Sequence, residues 1–369
     1  MNALKTTFAT LILLLPIWAS AQVKTDGVKA RIDNIVELDK TVHDFGDVLT
    51  SDGALTCTFT AKNISSKPMV IYNVVSSCGC TGVKWTREPV QPGKTGTITA
   101  TYTNDEGPYP FDKNLTVYFS GVKKPVILRL RGSAHNKKQP LSELYPQKWG
   151  PFAIKNPEIK LGNMNQGSQR SDAATVANIG TKPIRVTFED VTEGMKIEVS
   201  PNPIPAGGTA KMIYTVTASR EKWGKNYYYA TPLVDGKRYK GDGKRIAVWA
   251  FTKEDFSDLS QEEKNKGAQP LFEGSTFSFG RVKAGKKVDA VFSFTNQGKS
   301  PFQVYKVDAD WARTTADPIP VAGPRQKGSV KVHLDTTGMP EGEALVIVTL
   351  TTNSPLRPIV NLFLSGVIE

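Results

Sequence analysis

The sequence predicts an all-β protein built as three tandem immunoglobulin-like β-sandwiches, with a short helix in the second linker. Three observations predict it. A short strand closing on glycine occurs at His43-Asp44-Phe45-Gly46-Asp47-Val48, again at Ile159-Lys160-Leu161-Gly162-Asn163-Met164, and again at Phe277-Ser278-Phe279-Gly280-Arg281-Val282. Each is followed by a strand ending in a polar turn that runs from Asn63 to Pro68, Asn178 to Pro183 or Asn296 to Pro301. A tandem repeat of this kind marks an array of one supersecondary unit. Each unit then reads as about seven short strands with turns every 8–12 residues, the pattern of an immunoglobulin-like sandwich.

The elements follow in order. Residues 1–21 read as a secretory signal peptide: Lys5 is a positive n-region, Phe8 to Trp18 an apolar run, and Ala19-Ser20-Ala21 a small-residue cleavage site. No cysteine follows that site, so a lipid anchor is not expected. No later run is long and apolar enough for a membrane span. The expected location is the periplasm or cell surface.

The first sandwich is assigned to 35–135, the second to 149–252 and the third to 270–369. After the Phe-Gly opener, Leu55, Cys57 and Phe59 alternate with Thr56, Thr58 and Thr60, as in a strand with one buried face. Asn and Gly suit the turn that follows, and Pro opens the next strand without needing a ladder donor. A third strand leads to a Pro-Gly turn at Pro89–Gly93, Pro203–Gly208 or Pro318–Gly323. Alternation then returns in register. Ile98, Ala100 and Tyr102 match Ala210, Met212 and Tyr214, and match Val330, Val332 and Leu334. Each set is expected to face a core. His135 to Gln147 reads as the first linker and 253–269 as the second, where Ser260 and Glu263 form a capping-box pattern that predicts a short helix.

Lys and Arg outnumber Asp and Glu, 47 to 35, for a formal charge of +12. A basic exported protein is suited to acidic glycans, headgroups or wall polymers, although solubility alone also explains the charge. Nucleic acid is not expected, since export separates the protein from it and no binding motif is present.

The chemistry-bearing candidates are few. Ser77-Cys78-Gly79-Cys80-Thr81 has no cysteine counterpart in the other units, where Asp310–Thr314 and the region of Asp190 take its place. Three readings stand side by side: a structural disulfide among Cys57, Cys78 and Cys80; a soft-metal site for copper or zinc at Cys78 and Cys80; and thiol redox or partner linkage, with Lys84 and Arg87 close in sequence. Cys57, on the apolar face, reads as a buried inert thiol. A second candidate is the aromatic and basic stretch from Arg220 to Arg245. Trp223, Tyr227, Tyr229 and Arg238 there suggest a surface for an acidic glycan or a peptide, against the simpler reading of a strand with two differently used faces. His43, His135 and His333 sit in no triad-like arrangement, so no catalytic residue, cofactor or enzyme activity is expected.

At these residues the chain resembles a bacterial family of unknown function, numbered one-five-seven-three, related to the immunoglobulin-like domains of the major-sperm-protein and Hydin type. The marks in the first unit are His43-Asp44-Phe45-Gly46, Asn63 to Pro68, Ser77-Cys78-Gly79-Cys80-Thr81, Pro92-Gly93 and Leu130-Arg131-Gly132. The third unit carries Phe279-Gly280, Phe294-Thr295-Asn296 to Pro301 and Leu364-Ser365-Gly366, with Trp311 and Arg313 where the cysteines would stand. The second matches loosely. The resemblance implies a bacterial exported protein and assigns no activity. The expected function is non-enzymatic binding or scaffolding of envelope proteins or peptides through sheet edges and inter-domain grooves. Metal or thiol handling at Cys78 and Cys80 is the alternative.

Overall fold

A computed structural model describes residues 29–239 and 245–369. The signal-peptide reading at 1–21, and Lys240 and Lys244 of the basic stretch, fall outside the described residues.

The first sandwich contains β1 (Ala30–Ile32), β2 (Val36–Leu38), β3 (Val42–Leu49), β4 (Leu55–Asn63), β5 (Ile71–Ser76), β6 (Thr81–Trp85), β7 (Thr95–Tyr102), β8 (Pro110–Phe119) and β9 (Val126–His135). One sheet has the order β1-β2-β4-β7-β6 and the other β3-β9-β8-β5. A short helix α1 (Leu141–Leu144) leads into the second sandwich. That contains β10 (Gln147–Trp149), β11 (Phe152–Ile154), β12 (Glu158–Asn165), β13 (Gln169–Asn178), β14 (Val186–Glu189), β15 (Met195–Ser200), β16 (Thr209–Thr217), β17 (Gly224–Val234), β18 (Lys237–Arg238) and β19 (Ile246–Lys253). Its sheets run β10-β11-β13-β16-β15 and β12-β19-β17-β14, with β18 folded back on β17. Helix α2 (Gln261–Lys266) precedes β20 (Pro270–Phe272), β21 (Thr276–Val282), β22 (Lys287–Asn296), β23 (Val304–Ala309), β24 (Thr314–Ala316), β25 (Lys327–Asp335), β26 (Gly342–Thr352) and β27 (Ile359–Ile368). These form sheets β20-β22-β25-β24 and β21-β27-β26-β23.

Each pair of sheets closes over its own apolar cluster. The alternating sets are the buried ones: Phe59, Ile98, Ala100 and Tyr102; Ala210, Met212 and Tyr214; Val330, Val332 and Leu334. Burying one such Leu, Ile or Phe side chain contributes about 1.5–3 kcal/mol.

Two repeated devices explain the sequence marks. The opener strand pairs in parallel with the last strand of its unit, β3 with β9, β12 with β19 and β21 with β27. Each pairing shifts register at the opener's glycine, and Gly46, Gly162 and Gly280 adopt φ of 71°, 94° and 70° there. A side chain is strained in that region, so glycine is needed to make the step. The Asn of the polar turn is fully buried in all three units. Its Nδ2 donates to the carbonyls of Lys67 and Val90, of Lys182 and Ile204, and of Ser300 and Ala322. It therefore ties the turn to the Pro-Gly loop across the sandwich end.

The structure moves several limits. Strand β1 lies ahead of residue 35, and β10 begins at Gln147, ahead of 149. His135 closes β9 instead of opening a linker, because its backbone continues the pairing with Leu49. Helix α1 was not anticipated; its end residues Leu141 and Leu144 pack with Tyr145, Ala153 and Ala177. In α2 the capping box is formed, with Ser260 Oγ accepting from the Glu263 amide at 3.2 Å.

Candidate functional site

Strands β5 and β23 are the same edge strand in two copies. Each skips one residue against its neighbour, between Ile71 and Asn73 in β5 and between Val304 and Lys306 in β23. The skipped residue is tyrosine in both, Tyr72 and Tyr305. In the third sandwich this edge is covered. Tyr305 stacks on Trp223 of the second sandwich with ring centroids 4.3 Å apart and planes 12° apart. Its hydroxyl donates to Glu254 at 2.6 Å. Burial, together with that carboxylate, pushes the Tyr305 phenol well above its ordinary range. Asp308 accepts from the Lys225 amide at 2.8 Å, and Lys306 Nζ donates to the Lys225 carbonyl at 2.8 Å. The chain approaches so closely at Gly224 that a Cβ there would collide with the Asp308 carboxylate.

In the first sandwich the same edge is uncovered among the described residues. Tyr72 is 64% exposed and Val75, the counterpart of Asp308, is 47% exposed. Tyr118 on β8 and Ile127 on β9 extend the apolar patch across the outer face. Val75, Thr116 and Ile127 lie in one cross-strand row. Strand β5 ends its sheet, with no strand on its outer side among the described residues.

The cysteine loop continues directly from β5. Cys78 and Cys80 are joined as a disulfide, and Cys57 stays a free, buried thiol. This corrects the readings that place Cys57 in a bridge: its side chain points into the first core beside Phe59 and Ala100. Burial pushes the Cys57 thiol up to about 12, so it is unreactive. In this oxidised form the two sulfurs offer no thiolate, so copper or zinc at Cys78 and Cys80 requires the reduced pair. Were the pair reduced, Glu106 is the third group within reach, its carboxylate and both sulfurs lying within 4.8 Å of one another. Glu106 is held below the usual carboxylate range by its hydrogen bond from Lys113, and it accepts from Tyr102 at 3.2 Å. Arg87 lies over Trp85, its guanidinium 3.6 Å from the ring centroid.

The proposed ligand stretch of the second sandwich is divided by the fold. Trp223 is the inter-sandwich stacking partner just described, so it is not a free ligand platform. Arg238 is committed to Glu189 and Asp190 at the base of the β17–β18 hairpin. Tyr227 and Tyr229 do share an outer face, their rings parallel within 8° and 5.9 Å apart. Trp249 and Phe251 of β19 stand beside them, and sequence reading missed both as surface residues. Their alternation with buried Val248 and Ala250 was the available signal.

The first two sandwiches are joined by two carboxylate nodes. Asp44 accepts from the Gly46 amide at 2.8 Å and lies 3.4 Å from both Arg131 and Lys211. Burial raises its pKa, but Lys211 and Arg131 outweigh burial and hold it below the ordinary value. Asp47 accepts from Lys155 at 2.6 Å and from Tyr145 at 3.0 Å, with His135 also 3.0 Å away. Beside them is a cleft of about 780 Å³ lined by Phe45, Leu49, Lys137, Leu144, Pro201 and Lys211 among others. His43 sits at this junction, and burial, with Lys40 and Lys211, pushes its imidazole down to about 4. Among the described residues no helix is long and apolar enough to cross a membrane.

The fold and these surfaces define a tandem immunoglobulin-like β-sandwich protein. The chain belongs to the family described as protein of unknown function (DUF1573), whose model matches residues 36–134 and 270–368. No curated protein matches it. Among solved structures it is similar to a protein of unknown function from Porphyromonas gingivalis W83, at 12% identity and TM-score 0.46, over 59% of this chain and 100% of that one. It is also similar to the ASH/PapD-like domain of human CEP192, at 10% identity and TM-score 0.24, over 31% of this chain and 94% of that one. The C. elegans MSP family member WR4 matches at 12% identity and TM-score 0.19, over 27% of this chain and 97% of that one.

Proposed function

We propose that this is an exported, non-enzymatic scaffold of the bacterial envelope that holds protein or peptide partners at the β5 edge of its first sandwich. The observation that carries the reading is the difference between two copies of one edge. The copy at β23 is used inside the molecule to hold the second sandwich, with Tyr305 as its aromatic anchor. The copy at β5 keeps the tyrosine and replaces the polar residues that cap Lys225: Lys306 becomes Asn73 and Asp308 becomes Val75. Exposed apolar edges invite strand addition, in which main-chain hydrogen bonds supply affinity and alternate side chains supply selectivity. The cleft between the first and second sandwiches offers a groove of the kind that takes a partner loop.

Export to the periplasm or cell surface is part of the proposal, supported by the sequence of residues 1–21. The test is crosslinking in intact cells followed by recovery of the protein. Wild type and Tyr305→Ala are expected to recover the same stoichiometric companion, and Tyr72→Ala/Val75→Asp to lose it. Equal recovery by all three would remove the edge from the account.

A further inference from the structure

The outer face of the second sandwich carries a line of alternating cations and aromatic rings. Lys160 on β12, Trp249 on β19 and Tyr227 on β17 lie in one cross-strand row. Phe251 pairs with Lys225 in the next row, and Tyr229 stands opposite Ala247. Lys160 Nζ is 5.3 Å from the Trp249 centroid. Lys225 Nζ lies between two rings, 4.5 Å from Trp249 and 4.9 Å from Tyr227. Tyr227 stacks on Tyr229, and the Arg245 guanidinium is 5.2 Å from Tyr229.

None of these three cations makes an ion pair with a carboxylate among the described residues; their side chains lie against rings, and Arg245 also donates to the Asp190 carbonyl. The ring faces orient the charges without neutralising them. One carboxylate, Glu158, stands on the same face, 3.5 Å from the Tyr227 hydroxyl. The row therefore presents a net positive, rigid, ring-lined strip about two strand spacings wide, on the order of 10 Å.

We infer that this strip is a binding site for an acidic polysaccharide, a polyuronate or sulfated glycan. The carboxylate or sulfate groups along the chain meet Lys160, Lys225 and Arg245, which the ring faces hold in place, and the apolar C–H groups of the sugars pack on the ring edges between the cations. Lys160, Tyr227 and Arg245 are exposed along the strip, which suits a segment of a long chain better than an enclosed small molecule. It lies on a different sandwich from the β5 edge and stands or falls independently of partner docking there.

The experiment is affinity electrophoresis of the full chain through gels holding alginate, dextran sulfate, neutral dextran or a single-stranded oligonucleotide, with tryptophan emission read in parallel. Alginate or dextran sulfate is expected to retard the protein and shift its emission, and neutral dextran to do neither. Tyr227→Ala, which leaves the charge unchanged, and Lys160→Glu/Arg245→Glu, which leaves the rings in place, are each expected to weaken that binding by roughly tenfold or more. The charge reversal Lys299→Glu/Lys327→Glu on exposed sites of the third sandwich is expected to leave it unchanged. Equal weakening by that control, no effect of Tyr227→Ala, or tighter retention by the oligonucleotide would each overturn the assignment.

Discussion

Tyr72 and Tyr305 occupy the same bulge in two copies of one edge strand, yet Tyr305 is stacked on Trp223 while Tyr72 is 64% exposed. The repeated fold thus contains its own reference for what an occupied edge looks like. The difference lies in neighbours and not in the strand, because the register shift is common to both.

The opener glycine and the closing glycine form a second comparison. In the third sandwich a Cβ at Gly366 would strike the Phe279 ring. The second sandwich has Ala250 at that register position and Leu161 in place of the phenylalanine. Gly366→Ala is therefore expected to lose about 1–3 kcal/mol by overpacking. Adding Phe279→Leu restores part of it, because the ring clash is relieved as in the second unit while the new Cβ still lies 2.5 Å from the Gly280 carbonyl oxygen. Urea denaturation of the four variants of the cycle checks this; additive losses would contradict it.

Asn296 tests the buried turn anchor. Its side chain donates to three carbonyls, of Ser300, Ala322 and Gly323, and accepts from the Gly298 and Gln269 amides. Asn296→Ala leaves several buried groups unsatisfied and is expected to cost about 3 kcal/mol or more. Hydrogen exchange should show the loss concentrated in the 297–301 turn and the 322–326 loop.

Thiol titration checks the cysteine assignment. The oxidised native protein is expected to show no reactive thiol, because Cys57 is buried and Cys78 is joined to Cys80. Mild reduction exposes two, and denaturation after reduction exposes the third. Cys78→Ser/Cys80→Ser is expected to lose no more than about 2 kcal/mol, since the bridge closes a very short loop. The third sandwich supports this, folding with Trp311 and Arg313 in that region.

Stability should depend on pH in two stages. His43 has a folded pKa of about 4 against an ordinary 6.5, so the unfolded chain takes up a proton first as pH falls. Stability is then lost between those values, by on the order of 1–2 kcal/mol once partial exposure is allowed for. Asp44 and Asp47 are held below 3.8, so their contribution is present above that value and is lost as pH falls through their lower folded values. Urea midpoints from pH 7 to pH 2.5 should show both stages. His43→Gln is expected to flatten the upper stage and leave the lower one.

Much of the fold was legible because strand alternation and turn chemistry are local. The Phe-Gly openers, the Asn turns and the α2 capping box each declare themselves within a few residues. What was not legible depends on partners distant in sequence. Asn63 looks like an ordinary turn residue, and only the loop at Val90 reveals it as a buried anchor. Trp223 looks like a ligand residue until Tyr305, far along the chain, is seen stacked on it. Tyr72 could have been found by aligning it with Tyr305, but its exposure depends on which sandwich has a neighbour at that edge.

The most direct test places a photoreactive phenylalanine analogue at position 72 or at position 305 of the full chain and irradiates intact cells. The account predicts that position 305 crosslinks within the chain, to the segment around Trp223, while position 72 crosslinks to a separate polypeptide. Adducts from position 72 that stay within the same chain, or adducts from position 305 to a second molecule, would contradict it.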